Sequence, residues 1–439
     1  MERRVMAQLV GQPGTSRAVV VKGLRTPFVK AGGVFGSLTS LDLGAAVVRE
    51  LVERADIDPA EIDQIVFGQA IPTLLAPSIA REVGLASALP RGLEAHTVSR
   101  ACATSIQAFT DVASAMAVGV SQVAIAGGTE SMSDVPIFTS RPLSRALVKA
   151  SRARSIPERL RAFAGVHPKD LVPVPPAIAE YSTGLTMGQS AEKMAKENGI
   201  SRSWQDEIAL ASHQRAAAAW KAGVFDAQVM HLPVPPAYTT TGTTDDLIRP
   251  DTSLEALAKL KPVFDKAHGS VTAGNSSPLT DGAAALLVMR EDRAKALGLQ
   301  PLGALRAFAY AATDPADQLL QGPAYAAPLA LDRAGMTLKD IDLVEMHEAF
   351  AAQVASNLQA LSSPEFARKL GRSAPLGEVD PERLNVHGGS IALGHPFGAT
   401  GARIVLQALD ALARRGKSTA LCTVCAAGGL GAAIVLERV

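Results

Sequence analysis

Several features are scarce in this sequence at once. Among 439 residues there are only three cysteines, Cys102, Cys422 and Cys425. So sparse and odd a set excludes a disulfide framework of the secreted kind and points to a reducing compartment. Charge of one sign is also lacking, with 43 Lys and Arg against 42 Asp and Glu and a net charge of +1. A chain this balanced has no overall attraction for phosphate backbones, which disfavours nucleic-acid binding. No apolar run reaches the roughly 18–20 residues that a membrane-spanning helix needs. Aromatic residues make up 4% of the chain while apolar residues make up 47%. That balance excludes disorder and predicts a core of small aliphatic contacts. The first segment carries Arg3, Arg4 and Arg17 but no apolar core of a secretory signal, and Glu2 argues against a mitochondrial presequence. Residues 1–17 are expected to form a flexible tail and the protein to be cytoplasmic.

What is present is an alternation of strand and helix patterns. AVVVKG at 18–23 reads as a buried strand, and Leu43, Val47 and Leu51 mark one face of a helix over Leu41–Arg54. The stretch ADIDPAEIDQIVFGQA from Ala55 is echoed by AGMTLKDIDLVEMHEA from Ala334, a constant offset of 279 (334 − 55) that pairs Ile62 with Ile341 and Asp63 with Asp342. A second echo follows in the same order. The segment after Cys102 places Ile106, Phe109, Ala113 and Met116 at helical spacing and leads to the strand QVAIAGGTE; GHPFGATGARIVLQALDALARRG leads to STALCTVCAAGG. Two ordered echoes predict a duplicated α/β unit with mixed sheets covered by helices. The expected organisation is a first core from 18–133 and 266–290, an inserted loop or lid region over 134–265, and a second core over 291–439. Within the insertion, residues 141–170 hold eight basic residues and two acidic ones, so the overall neutrality averages a basic patch with an acidic body.

Few residues stand out as chemistry. Cys102 in SRACATS precedes a helix, where the positive end of the helix dipole favours a thiolate; a buried structural thiol is the competing reading. Cys422 and Cys425 form C-x-x-C, but no further ligand pair lies nearby for zinc, and the pair ends a strand instead of opening a helix. Their spacing of three puts them on opposite faces of that strand, Cys422 toward a core and Cys425 toward a site. His395 lies in the glycine-rich GGSIALGHPFGATG, and His347 ends the repeated strand in EMHEAF. Ala351 stands where a zinc protease would need its second histidine, and neither G-x-S-x-G nor G-x-G-x-x-G is present around the glycine clusters at 388 and 429. Two packed copies would bring a Cys loop and a His loop face to face, a recognised route to an activated nucleophile, with a second Cys as acid or base.

The strings SRACATS, MGQSAE, VTAGNSSPLTDGAAA, HEAF, GGSIALGHPFGATGAR and CAAGGLGAA, spread in order along nearly the whole chain, resemble the thiolase family. The resemblance is strongest to the 3-ketoacyl-CoA thiolases of fatty-acid oxidation, including the beta subunits of trifunctional complexes. It implies two βαβαβαββ core domains in a five-layered arrangement with an inserted lid. It also implies cleavage of 3-ketoacyl-CoA by coenzyme A into acetyl-CoA and a shortened acyl-CoA, with coenzyme A as co-substrate and no permanently bound cofactor or metal. By motif position, Cys102 would be the acyl-carrying nucleophile, His395 its base, and Cys425 the acid toward the departing acetyl carbanion. His347 stands where many members have Asn, and C-A-A-G-G replaces C-x-G-G-G; both departures match the trifunctional branch. An imidazole at 347 would then do the work of an amide in an oxyanion hole, with a charge that can change near neutral pH. Ser277, Met187, Arg249 and Phe350 match family positions that contact coenzyme A.

The resemblance further implies a homodimeric or homotetrameric core, and a hydratase/3-hydroxyacyl-CoA dehydrogenase alpha subunit as partner in an alpha2beta2-type complex. Basic segment 141–170, with Leu143, Leu147 and Val148, then Ile156, Leu160 and Phe163 at helical spacing, reads as a solvated helix pair, as a surface for a partner subunit or anionic membrane, or as a contact for coenzyme A phosphates. A biosynthetic acetoacetyl-CoA thiolase is the nearest rival function. A catalytically silent scaffold subunit and a condensing ketoacyl synthase are more distant ones.

Overall fold

A computed structural model describes residues 16–174 and 178–439, so most of the tail expectation lies outside the described residues. Arg17 is tied down, its guanidinium donating to Glu291 at 2.8 Å and Glu437 at 2.6 Å. The strands are β1 (Ala18–Arg25), β2 (Val29–Lys30), β3 (Gln64–Gly68), β4 (Glu94–Val98), β5 (Val123–Glu130), β6 (Leu232–Pro233), β7 (Thr241–Gly242), β8 (Thr280–Arg290), β9 (Gly303–Ala312), β10 (Leu343–Met346), β11 (Thr419–Ala426) and β12 (Leu430–Glu437). Nine of them run in the order β10-β11-β12-β9-β1-β8-β5-β3-β4, with β2 beside β8.

That order is two halves meeting at their inner edges. In the first, β3 is parallel to β4 and β5, while β8 runs antiparallel to β5 and β1. In the second, β10 is parallel to β11, and β12 runs antiparallel to β11 and β9. The halves join through only two residue pairs, Val19↔Ala304 and Val20↔Gly303. The duplication read from sequence is therefore present in the strand order, with one asymmetry. The place of β4 in the second half is taken by a single bridge, Val344↔Leu384.

Side-chain alternation builds the layers. Val66 of β3 faces a cluster shared with Ile106, Phe109, Val112, Leu286, Val405, Leu409 and Ile434. Its neighbours Ile65 and Phe67 face the other way, onto Leu43, Val47 and Leu51 of helix Ser40–Ala55. On the far side of the second half, Val344, Leu421 and Val435 pack on Leu331 of helix Gly322–Ala334 and Val354 of helix Ala351–Ser362. The result is helix, sheet, helix, sheet, helix, the five-layered α/β arrangement. Strands covered on both faces carry near-continuous apolar runs, as β5 and β8 do.

The middle layer positions the site. It consists of helices Thr104–Ala117 and Thr400–Arg415, one from each half, and twelve of the sixteen residues of the latter are buried. Their N-termini touch: the amide of Ala402 donates to Ser105 Oγ at 2.9 Å. A Cβ on Gly401 would lie 2.6 Å from the backbone nitrogen of Ile106, so only glycine permits this approach. The loops that precede the two helices, holding Cys102 and His395, are thereby brought into contact.

The region over 134–265 touches both halves. A buried ion pair between Arg25 of β1 and Asp245 (2.6 and 2.7 Å), with Trp220 Nε1 donating to the same carboxylate at 3.0 Å, anchors it to the first. Ala191, Met194 and Ala195 of helix Met187–Glu197 pack with Ala349, Ala352 and Ala355 of the second. Helices Arg141–Arg152 and Ile156–Arg161 bury almost nothing of their own: Ala146 is the only buried residue in the pair.

Candidate active site

Cys102 sits in a strained turn. Ala101 before it has φ 45°, in the left-handed region that costs a non-glycine residue about 1–2 kcal/mol. The turn is fastened by Thr104, whose hydroxyl donates to the carbonyl of Ala101 at 2.7 Å and accepts from the amide of Arg100 at 2.9 Å. The backbone N–H groups of Ala427 and of Cys102 itself point at the sulfur. They lower the thiol pKa, but burial outweighs them and pushes it up to about 12. The thiolate expected from the helix dipole is thus not the resting state, because the helix begins only at Thr104 and the sulfur is desolvated.

The proton of this thiol has a defined acceptor. His395 Nε2 lies 3.2 Å from Cys102 Sγ, across 293 residues of sequence. The other ring nitrogen, Nδ1, is 2.7 Å from Thr400 Oγ1, which itself donates to the carbonyl of Pro396 at 3.0 Å. With its single hydrogen committed, the Thr400 hydroxyl accepts from Nδ1–H, so Nε2 presents a bare lone pair to the thiol. Burial lowers the His395 pKa to about 3, with the charge of Arg403 adding to it. The pair rests as neutral thiol and neutral imidazole, oriented for proton transfer.

Cys425, fully buried at the end of β11, faces Cys102 across a cavity of about 220 Å³. Burial raises its pKa well above the ordinary thiol value, and the neighbouring Cys102 raises it further. Cys422 points instead into the central core with Ile434 and Val424, which agrees with the alternation argument. His347 follows β10, its amide donating to the carbonyl of Thr423 at 2.9 Å, and its ring lies 4.1 Å from that of His395. The ligand atoms of Cys102, His347 and His395 all lie within 4.8 Å of one another. Burial, with the proximity of the His395 ring and the charge of Arg403, lowers the His347 pKa well below 6.5. The expectation of an imidazole that charges near neutral pH is therefore corrected: this one stays neutral.

Three of the four residues matched to coenzyme A positions, Met187, Ser277 and Phe350, line the same cavity as Cys102 and Cys425. The fourth does not. Arg249 lines a neighbouring cavity of about 410 Å³ with His213 and Ser276, its amide donating to His213 Nδ1 at 3.2 Å. Segment 276–278 separates the two spaces, contributing Ser277 to one and Ser276 and Pro278 to the other.

Both halves of the chain match a known family. The thiolase N-terminal domain covers residues 18–292 and the thiolase C-terminal domain residues 299–438. The chain belongs to the thiolase family. It is 54% identical over 422 residues to a 3-ketoacyl-CoA thiolase of Serratia proteamaculans, covering 96% of this chain and 97% of that protein. A 3-ketoacyl-CoA thiolase of Yersinia enterocolitica is 53% identical over the same share of both. Among solved structures, the acetyl-CoA acetyltransferase of Bacillus anthracis superposes with a TM-score of 0.83 at 32% identity, covering 97% of this chain and 99% of that one. Human mitochondrial 3-ketoacyl-CoA thiolase superposes at 0.81, also 32% identical, covering 96% and 99%. The thiolase family makes this chain an acyltransferase.

Several residues of this thiolase site are invisible to motif reasoning. Thr400 sets the His395 tautomer, yet in sequence it is one more small residue in GATGAR. Glu130 is buried and accepts from the amides of Ala70 (2.8 Å), Ile71 (3.1 Å) and Gly398 (3.0 Å), binding cavity walls from both halves. Burial raises its pKa to about 7. A charged residue closing the apolar strand VAIAGGTE was the available signal for it.

Proposed function

We propose that this thiolase is a 3-ketoacyl-CoA thiolase of fatty-acid oxidation. The observation that carries the reading is the Cys102–His395 contact facing Cys425 across one small cavity. Cys102 Sγ adds to the C3 carbonyl of 3-ketoacyl-CoA while His395 Nε2 takes the thiol proton. The C2–C3 bond then breaks, leaving the acyl group as a thioester on Cys102 and the departing two-carbon unit as the enolate of acetyl-CoA. Cys425, kept protonated by burial, gives that enolate its proton. The Cys425 thiolate takes the proton of the incoming coenzyme A thiol, whose sulfur attacks the thioester. His395 returns its proton to Cys102 as the shortened acyl-CoA leaves, and every group is restored. The N–H groups of Cys102 and Ala427 are placed to receive negative charge next to the sulfur.

Met187, Ser277 and Phe350 support a pantetheine arm reaching the thiols through the cavity they line. Arg249 belongs in the adjoining space, where its guanidinium suits a more distant, anionic part of coenzyme A. Coenzyme A is thus co-substrate, with no permanently bound cofactor, and residues 134–265 serve as the lid over the site between the cores at 18–133 with 266–290 and 291–439. The cytoplasm is the proposed location; among the described residues no helix is long and apolar enough to cross a membrane.

A homodimeric or homotetrameric core fits the end position of β4 in the sheet and the exposed Leu74 and Leu75 beyond β3. The basic helices over 141–161, exposing Ile156 (73%) and Leu160 (71%), suit a hydratase/dehydrogenase alpha subunit or an anionic membrane. Neutralising Arg152, Arg154, Arg159 and Arg161 with no change in complex formation or lipid binding would reject that surface role.

Thiolytic cleavage of 3-ketoacyl-CoA substrates of several chain lengths tests the main reading. Wild type should cleave them and Cys102→Ala should not, while Cys425→Ser should still become acylated on Cys102 by acetyl-CoA, releasing coenzyme A, yet lose carbon–carbon cleavage of 3-ketoacyl-CoA. Turnover surviving in Cys102→Ala would refute the nucleophile, and activity confined to acetoacetyl-CoA would favour the biosynthetic alternative.

A further inference from the structure

His347 carries an unusual feature. Its Nε2 is fully buried and has no hydrogen-bond partner among the described residues, although a nitrogen of the same ring lies within 4.8 Å of Cys102 Sγ and of a His395 ring nitrogen. Leaving such a group unpaired costs about 1–3 kcal/mol, so its state of protonation decides what it is for.

That state is set from the far side of the ring. His347 Nδ1 lies 2.9 Å from Ser390 Oγ, and Ser390 Oγ also accepts from Arg403 Nη2 at 2.7 Å. Ser390 has no solvent exposure, and its hydroxyl has one hydrogen to place. If His347 donated from Nδ1, the hydroxyl hydrogen would have no acceptor among the described residues. If Ser390 donates to Nδ1, every polar atom on that side is satisfied, and the guanidinium polarises the hydroxyl into a stronger donor. The proton of His347 then sits on Nε2, the nitrogen without a partner on a ring stacked against the His395 base.

We propose that Ser390 and Arg403 are positioning residues that hold His347 as its Nε2–H tautomer, so that it donates a hydrogen bond to an oxygen that gains negative charge during the reaction at Cys102. The proposal rests on the thiolase reading for the identity of that oxygen, but not for the tautomer. A donor without a partner in the resting protein and with one in the transition state stabilises the second relative to the first.

The two stacked imidazoles are wired in opposite senses. Thr400 accepts from Nδ1 of His395 and frees its Nε2 to take a proton, whereas Ser390 donates to Nδ1 of His347 and puts the proton on Nε2. Thr400 and Arg403 lie three residues apart on helix Thr400–Arg415 and so share a face. One turn of a single buried helix controls both rings. Arg403 is itself held between Gln407 Oε1 at 3.4 Å and Glu345, 3.9 Å away. Burial and the Arg403 charge also keep His347 neutral, which preserves the distinction between its two nitrogens.

The test combines a spectroscopic and a kinetic measurement on the full chain. Long-range 1H–15N spectra of protein labelled at histidine nitrogens, with the His347 signals assigned by their loss in His347→Asn, should show Nε2 protonated and Nδ1 bare. Ser390→Ala should shift or average those signals and lower kcat for thiolysis about 10–100-fold, with KM for coenzyme A nearly unchanged. Ser390→Thr, which retains the hydroxyl, should restore the tautomer and most of the activity. A proton on Nδ1 of His347 in the wild type would overturn the proposal, and so would wild-type spectra and kcat in Ser390→Ala. The wild-type spectrum decides the tautomer even if Ser390→Ala does not fold. Turnover persisting in Cys102→Ala would instead sink the thiolase reading and leave the tautomer assignment standing.

Discussion

The two halves approach closely where Gly128 meets Gly398, and replacing Gly128 with alanine tests what that closeness does. Gly128 lies in β5, paired with Gly68 and Ala284. A Cβ at this position would sit 2.0 Å from the carbonyl oxygen of Gly398 and 2.6 Å from its carbonyl carbon. An ordinary contact between such atoms begins near 3.4 Å, so the loop carrying Gly398 has to retreat by roughly 1 Å or more. Both neighbours are backbone, leaving no side chain free to swing aside. Gly398 is three residues from His395, and the same loop sets the 3.2 Å separation of Nε2 from Cys102 Sγ. Misplacement of a reacting group by about 1 Å costs on the order of 100-fold in rate, and overpacking costs about 1–3 kcal/mol of stability. Gly128→Ala is therefore expected to lose about two orders of magnitude in kcat for thiolysis, with a lowered Tm and slower alkylation of Cys102. Gly92→Ala is the matched control, because its Cβ would meet nothing within 4 Å. Wild-type turnover in Gly128→Ala would refute the argument that this close approach aligns the Cys–His pair, as would an equal loss in Gly92→Ala.

Two further outcomes follow from the same geometry. Thr400→Val keeps the shape of the side chain but removes the acceptor of His395 Nδ1–H; losing about 1–3 kcal/mol of preference for the base-competent tautomer should lower kcat about 5- to 100-fold, whereas Thr400→Ser should stay near wild type, and steady-state kinetics showing no difference between the two would contradict the tautomer assignment. The buried histidines should contribute less to stability as the pH falls through 6.5. The pKa values of His213 and His387 (each about 4), His395 (about 3) and His347 are all lowered by burial. By about pH 4.5 the unfolded chain has therefore taken up a proton on each of these groups that the folded chain largely lacks, about half of that uptake lying below pH 6.5. Glu130 and Glu345, raised by burial to about 7 and 8, oppose this by keeping two protons in the folded state. Glu348, raised likewise, adds to that side. Asp111, Asp246, Asp281 and Asp410, also raised by burial, join the carboxyl side; the histidine contribution therefore rises with pH through 6.5, while the carboxyl contribution declines as Glu130 and Glu345 ionise through pH 7–8. Denaturant midpoints of His387→Gln should vary less with pH between 4.5 and 6.5 than those of wild type, and parallel profiles would exclude the burial argument.

Much of this protein is determined by local sequence alone. The apolar period of Leu43, Val47 and Leu51 places helix Ser40–Ala55 within one residue of its expected limits. The 279-residue echo locates β3 and β10, which begin at Gln64 and Leu343, because backbone propensity and period are properties of a few neighbouring residues. Motif context likewise brings Cys102, His395, Cys425 and His347 forward, since a reactive group on a glycine-rich loop before a helix, or at a strand end, is visible along the chain.

Other properties belong to the packing. That the sulfur rests as a thiol depends on desolvation by residues from both halves, which overrides the helix terminus that precedes it in sequence. That Arg249 faces a separate cavity depends on where segment 276–278 runs between the two spaces. Thr400, Ser390 and Arg403 carry no signature, because a hydroxyl or a guanidinium acquires its role only from the partner that folding sets against it, as His347 is set against Ser390. The sequence by itself determined which groups are available and which elements present them. The contact of two buried helices decided which nitrogen faces the sulfur, and so which group can take a proton and which can give a hydrogen bond.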